Sequence, residues 1–156
     1  MAENYLKGTE FLFYVDTTTP ATTALNAVTL ANAKLVKCLT SNGFSGTTNT
    51  IESNSKCAGL WAESIADTAG WTMDFSAEAL ELQALDTSID QNALFNLWKN
   101  KTVFWGFMYD IASVTLRYGL MRIDSYSDTG AKGSIQEFSG TLTGIGVPGD
   151  QTTIAP

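Results

Sequence analysis

The chain has no histidine. That absence removes the commonest general base at neutral pH and the commonest metal ligand. Ser-His-Asp triads, Cys-His pairs and histidine-held metals go with it. Cysteine is nearly as scarce: Cys38 and Cys57 are the only two, and they form no CxxC motif. Their spacing leaves open one disulfide or two free thiols, the latter being the rule in a reducing compartment. Cations are few as well, nine Lys and Arg against sixteen Asp and Glu, for a net charge of −7. Such a balance argues against tight nucleic-acid binding, which needs a basic surface to neutralise phosphates. It leaves room for nucleic acid as something to be repelled. Long apolar runs are missing too. The run Phe11 to Val15 is too short for a signal-peptide core, Lys7 alone makes a poor basic region, and no stretch reaches the length of a membrane helix. The expectation is a soluble protein made in the cytoplasm, with no membrane partner.

What is present is a chain of 156 residues, 44% apolar, enough for a single domain with a real core. Thr9 to Asp16 reads as a strand rich in aromatic and β-branched residues. Thr17 to Asn32 then turns Thr- and Ala-rich and carries no charge, which predicts a long loop or arm of the kind that is usually functional or interfacial. Ala33 to Thr40 reads as a second strand with apolar residues on both faces. Thr47 to Ser55 is polar around Ile51 and reads as an exposed strand or an ordered loop. From Trp71 to Ala79 the alternation is clean. Trp71, Met73, Phe75 and Ala77 point one way and Thr72, Asp74, Ser76 and Glu78 the other. Glu78 to Leu85 is ambiguous between helix and strand.

Thr87 to Lys101 predicts the one helix, capped by Thr87 or Ser88 with Asp90 or Gln91 three residues on. Ile89, Ala93, Leu94, Leu97 and Trp98 form its apolar stripe, and Lys99 and Lys101 complement the dipole at its end. Strands follow at Thr102 to Asp110, Thr115 to Tyr126 and Gly133 to Ile145, with a turn at Asp128 to Lys132. The tail, residues 146–156, has no core pattern and is expected to be extended or mobile. The sum is a mainly β protein, a β-sandwich or barrel-like domain with one flanking α-helix.

No residue set reads as catalytic, cofactor-binding or metal-binding. Asp74 and Glu78 share a strand face but stand roughly 13 Å apart by strand rise, beyond the about 5–10 Å of glycosidase carboxylate pairs. Asp110, Asp124 and Asp128 match no Ca²⁺ loop. Gly140, Gly144 and Gly146 lack the strand–loop–helix context of a phosphate loop. The aromatics Phe104, Trp105, Phe107 and Tyr109 fall on both faces of one strand. They read as core with one face under the helix, or as a strand offering one face to a subunit or a sugar.

The order of these segments resembles the major tail protein (tail tube) family of long-tailed bacteriophages, in particular its TP901-1-like group. The opening run Leu6 to Asp16 looks like that family's first Gly-polar-apolar strand. Thr48-Asn49-Thr50-Ile51-Glu52-Ser53-Asn54-Ser55-Lys56 is similar to its T-I-x-x-T-x-K segment, with Ser53 and Ser55 near the usual Thr. Trp61 to Ala66 and Gly70 to Ser76 look like its paired W-x-E-x-I and x-W-S-x-S-x-x-G blocks. Phe138 to Gly144 matches its closing strand. The resemblance covers nearly the whole chain except Thr17 to Asn32, and this sequence lacks the family's Gly at Ala77–Ala79.

The resemblance implies a structural virion protein, not an enzyme and without cofactor. Its copies form hexameric rings that stack into a tube around a tape-measure protein, meet tail terminator and tip proteins, and conduct DNA without specific binding. It also implies assembly in the host cytoplasm and a final place in the virion tail. On that reading Asp74, Glu78 and Glu137 are candidates to face the lumen. Thr48, Asn49, Ile51, Glu52 and Lys56 are candidates for ring-to-ring contacts. A carbohydrate-binding β-sandwich module, suggested by four Trp and five Tyr, and a secretion-system tube subunit are the alternatives.

Overall fold

The computed structural model describes residues 11–53, 63–79, 86–110 and 115–155. In chain order the elements are β1 (Phe11–Asp16), β2 (Lys34–Leu35), β3 (Leu39–Ser53), β4 (Glu63–Glu78), α1 (Gln91–Lys99), β5 (Phe104–Asp110), β6 (Thr115–Thr129) and β7 (Glu137–Asp150). The strands form one antiparallel sheet in the order β2-β1-β5-β6-β7-β4-β3. The expectation of a mainly β, barrel-like domain with one flanking helix is met.

The sheet curls over itself. Phe13 on β1 and Phe75 on β4 stack with ring centroids 5.6 Å apart, although β5, β6 and β7 lie between their strands. The concave side gathers Phe13, Val15, Met73, Phe75, Phe104, Met108, Met121, Phe138 and Leu142 into the main core, and Leu94 of α1 closes it. The alternation read from Trp71 onward is borne out: Trp71, Met73, Phe75 and Ala77 are buried there.

The convex side is divided. Over β1, β5 and the first half of β6, Trp105, Phe107, Leu116 and Tyr118 form a second cluster with Val28. Its roof is the Thr/Ala-rich segment and the chain end. Trp105 Nε1 donates to the Pro20 carbonyl at 3.1 Å, Tyr118 Oη–H to the Leu25 carbonyl at 2.8 Å, and Ala155 N–H to the Val28 carbonyl at 3.0 Å. Both faces of β5 are therefore covered, one near the helix and one under this roof. No sugar platform is open on it.

Asp16 starts the roof. Its buried carboxylate accepts from Thr18 N–H at 2.8 Å, Thr19 N–H at 3.1 Å and both threonine hydroxyls. Burial pushes the carboxyl up, but these hydrogen bonds outweigh it and hold it below the usual aspartate value.

Several boundaries differ from the sequence reading, each for a local reason. Residues 33–40 are not one strand. β2 ends at Leu35, and Cys38 at φ 58° turns the chain into β3. The helix starts at Gln91, with Asp90 as its cap accepting from Ala93 N–H at 2.8 Å. Thr87 and Ser88 are excluded because Ile89 N–H is taken by the Leu35 carbonyl at 3.0 Å, pinning that stretch to β2. Trp98 leaves the expected apolar stripe and is 38% exposed. β7 runs on to Asp150, past Gly146 at φ 78°, so residues 146–155 are strand and anchored turn. Cys38 is an exposed free thiol. Cys57, Lys56 and Trp61 lie outside the described residues.

Candidate assembly surface

The uncovered half of the convex side belongs to β3, β4, β7 and the far half of β6. The register fixes its composition row by row. Ser45, Thr72, Thr143 and Arg122 form one row; Gly43, Asp74, Thr141 and Ser125 the next; then Ser41, Ser76, Ser139 and Ser127; then Glu78, Glu137 and Thr129. Antiparallel partners share a face. All three candidate lumen residues therefore stand together on this one hydroxyl-rich surface. Asp74 and Glu137 are exposed, and Glu78 is half-buried. Glu78 and Glu137 are direct cross-strand partners, so two carboxylates face each other.

The surface is acidic. Asp124 joins the three carboxylates at the β6 bulge, where Arg122 Nε meets it at 3.1 Å and the Thr143 hydroxyl donates to it. Arg122 is the one cation of those rows. Among the described residues no cluster of three metal-ligating side chains is present. Asp110 is buried, Asp124 is engaged by Arg122, and Asp128 accepts from Gln91 and from Tyr126 Oη at 2.8 Å.

Among the described residues no strand pairs with either side of this four-strand surface, and α1 lies beside the far half of β6, where Tyr126 Oη–H donates to the Gln91 carbonyl at 3.3 Å. β3 is the sheet's outer strand along its whole length. On the other side β5 stops pairing at Phe104↔Met121, so Arg122 to Thr129 of β6 pair only with β7. Long open edges are sites for strand addition unless something covers them.

The candidate ring-to-ring residues lie on a different feature. Residues 47–55 were left open between strand and loop. Through Ser53 they are strand, paired with β4 up to Glu63. β4 pairs with β7 only from Thr72 to Glu78. Beyond that, β3 and β4 project as a two-stranded ribbon, roughly 20 Å long from Thr47 to Ser53 at ordinary strand rise. Thr48, Asn49, Ile51 and Glu52 are all exposed on it. Asn49 Nδ2 donates across to Thr68 Oγ1 at 3.0 Å, and Ile51 pairs with Ile65, at 56% and 62% exposure. Polar residues on both faces gave no period to read, which is why the sequence left this stretch undecided.

Two hollows flank these features. A notch of about 580 Å³ opens where the ribbon diverges from β7, lined by Phe44, Trp71, Gly144, Val147 and Pro148 among others. Trp71 braces its floor: Nε1 donates to the Gly146 carbonyl at 2.8 Å, and a Cβ on Gly144 would lie 1.9 Å from the indole. A second hollow of about 460 Å³ lies at the start of the open β6 edge. Trp98, Lys99, Lys101, Val103, Arg122, Ile123 and Asp124 line it. Sequence reasoning missed this second site, because Lys99 and Lys101 were accounted for by the helix dipole alone.

Comparison with known proteins places this geometry. No family model and no curated sequence matches the chain. Solved structures do. A chain of the virion of a native gene transfer agent particle superposes with a TM-score of 0.70 at 11% identity, over 94% of this chain and 98% of that one. A chain from the tail of an empty particle of the same kind, refined with C6 symmetry, gives 0.69 at 13% identity, over 93% and 98%. The SPP1 tail tube gives 0.64 at 14% identity, over 94% and 78%. The fold is that of tail tube proteins.

Proposed function

We propose that the chain is a structural subunit of a tail tube, in which six copies close into a ring and rings stack into a hollow tube. The observation that carries this reading is the four-strand face that, among the described residues, has no strand partner on either side. Because β3 runs antiparallel to β6, β3 of one copy continues the sheet along β6 of the next in the sense the sheet already uses. A cyclic arrangement satisfies every such edge at once. The fold shared with a C6-symmetric tail supports six as the number.

In that ring the hydroxyl-rich face with Asp74, Glu78 and Glu137 lines the lumen. Its negative charge repels phosphates and keeps DNA from sticking during passage. Thr48, Asn49, Ile51, Glu52 and Lys56 reach the neighbouring ring. A tape-measure protein fills the tube during assembly, and terminator and tip proteins close its ends. The place of action is the virion tail, assembled in the host cytoplasm. The segment order supports a TP901-1-like major tail protein of a long non-contractile tail.

Negative-stain microscopy of the concentrated protein tests the reading. Rings or tubes are expected. A strict monomer, even with tail partners added, would overturn it.

A further inference from the structure

The ribbon and the hollow at the β6 edge are opposites in charge and alike in exposed apolar surface. The ribbon, residues 46–53 and 63–70, carries Glu52, Glu63 and Asp67 and no Lys or Arg. Its exposed apolar groups are Ile51 and Ile65. The hollow holds three of the chain's nine cations, Lys99, Lys101 and Arg122, beside half-exposed Trp98 and Val103. Arg122 is occupied by Asp124, while Lys99 and Lys101 make no ion pair among the described residues.

Lys101 carries a second signal. It stands at φ 54°, in the left-handed region that favours glycine. The helix ends there in a Schellman arrangement, with Thr102 N–H donating to the Leu97 carbonyl at 3.0 Å and Lys101 N–H to the Trp98 carbonyl at 3.1 Å. Glycine suits that position better. A long cation held there in a disfavoured conformation, at the mouth of a hollow, points to a use for its charge.

We propose that the hollow formed by Trp98, Lys99, Lys101, Val103 and Arg122 is the socket for the acidic β3–β4 ribbon of a second copy. The inference rests on the tube reading and deepens it by naming the receiving site. Such a contact is heterologous, one patch meeting a different one, as growth of rings or filaments requires. The Ile51–Ile65 pair gains apolar cover from Trp98 and Val103, and the lysines meet Glu52 and Asp67.

Charge reversal with rescue tests the socket, read by sedimentation and electron microscopy of the full chain. Lys99→Glu with Lys101→Glu should abolish tubes, and adding Glu52→Lys with Asp67→Lys should restore them. Lys101→Gly should raise the melting midpoint of the subunit while reducing assembly at least tenfold, a split that misfolding cannot produce. Unchanged assembly in the lysine variants, with wild-type tubes forming, overturns the socket and leaves the tube reading standing. Loss of tubes without rescue by the reversed ribbon gives the hollow another occupant and also overturns the proposal. A wild-type chain that never assembles removes both.

Discussion

Phe13 and Phe75 stack at 5.6 Å with 17° between their ring planes, across a sheet in which three other strands separate β1 from β4. That single contact measures the curl of the sheet. It also ties β1 and β4, each next to an end of the strand order, to one core. Phe75→Ala is expected to cost about 3–5 kcal/mol, and a double-mutant cycle with Phe13→Ala to return a coupling of about 0.5–1.5 kcal/mol beyond area burial. Urea unfolding of the four proteins measures both. Additive losses would mean that the two rings do not depend on each other.

Gly144 lies under the Trp71 indole, and no side chain fits between them. Gly144→Ala should therefore destabilise the subunit by about 1–3 kcal/mol and shift the ribbon's root with it. Trp71 fluorescence follows the change directly. An alanine variant with unchanged emission and midpoint would refute this close packing.

Glu78 and Glu137 face each other on the sheet, and like charges opposite one another destabilise a strand pair by about 0.2–1 kcal/mol. Glu137→Gln should raise the stability of the isolated subunit by that amount. In assembled tubes the same change should increase retention of DNA, read by filter binding at low salt. No gain in stability would show that water screens the pair fully.

Ile51 and Ile65 stay 56% and 62% exposed within their own subunit. Replacing both with Ser should alter stability by less than about 0.5 kcal/mol each, yet abolish assembly. Thermal melts and sedimentation velocity separate the two effects. A large loss of stability would mean that the ribbon packs against its own subunit.

Asp86 and Asp16 contribute to the acid limit. Asp86 is held down to about 2, first by its hydrogen bond from Lys37 and then by Ser88, and Asp16 is lowered by Thr18 and Thr19 against the opposing pull of burial. A carboxyl whose folded value is depressed contributes stability that is present above its unfolded value, about 4, and lost as pH falls toward the folded one. The melting midpoint should thus fall between about pH 4 and pH 2. Asp16→Asn should flatten part of that slope and loosen the roof over Trp105. A slope identical to wild type would remove Asp16 from the account.

Much of the fold was legible where one strand face is buried and the other wet. Trp71 to Glu78 announced itself by period two for that reason, and Asp74 and Glu78 could be placed on the polar side. That Glu137 joins them depends on the β4–β7 register, which no local pattern encodes. The ribbon was undecidable because neither of its faces is buried. β5 was clear as a strand but not in its surroundings, since both its faces are covered. The helix start was masked by a tertiary event, the capture of Ile89 by β2. Lys101 hides a left-handed turn that a glycine would have advertised.

In the proposed ring six copies close through β3 and the far half of β6, with the acidic hydroxyl face inward. Cryo-electron microscopy of the assembled protein tests it most directly. Six-fold rings are expected, in which β3 of each copy pairs antiparallel with Arg122 to Thr129 of its neighbour, and Asp74, Glu78 and Glu137 point into the channel. Rings that place those three carboxylates on the outer wall, or leave both edges unpaired, would contradict it.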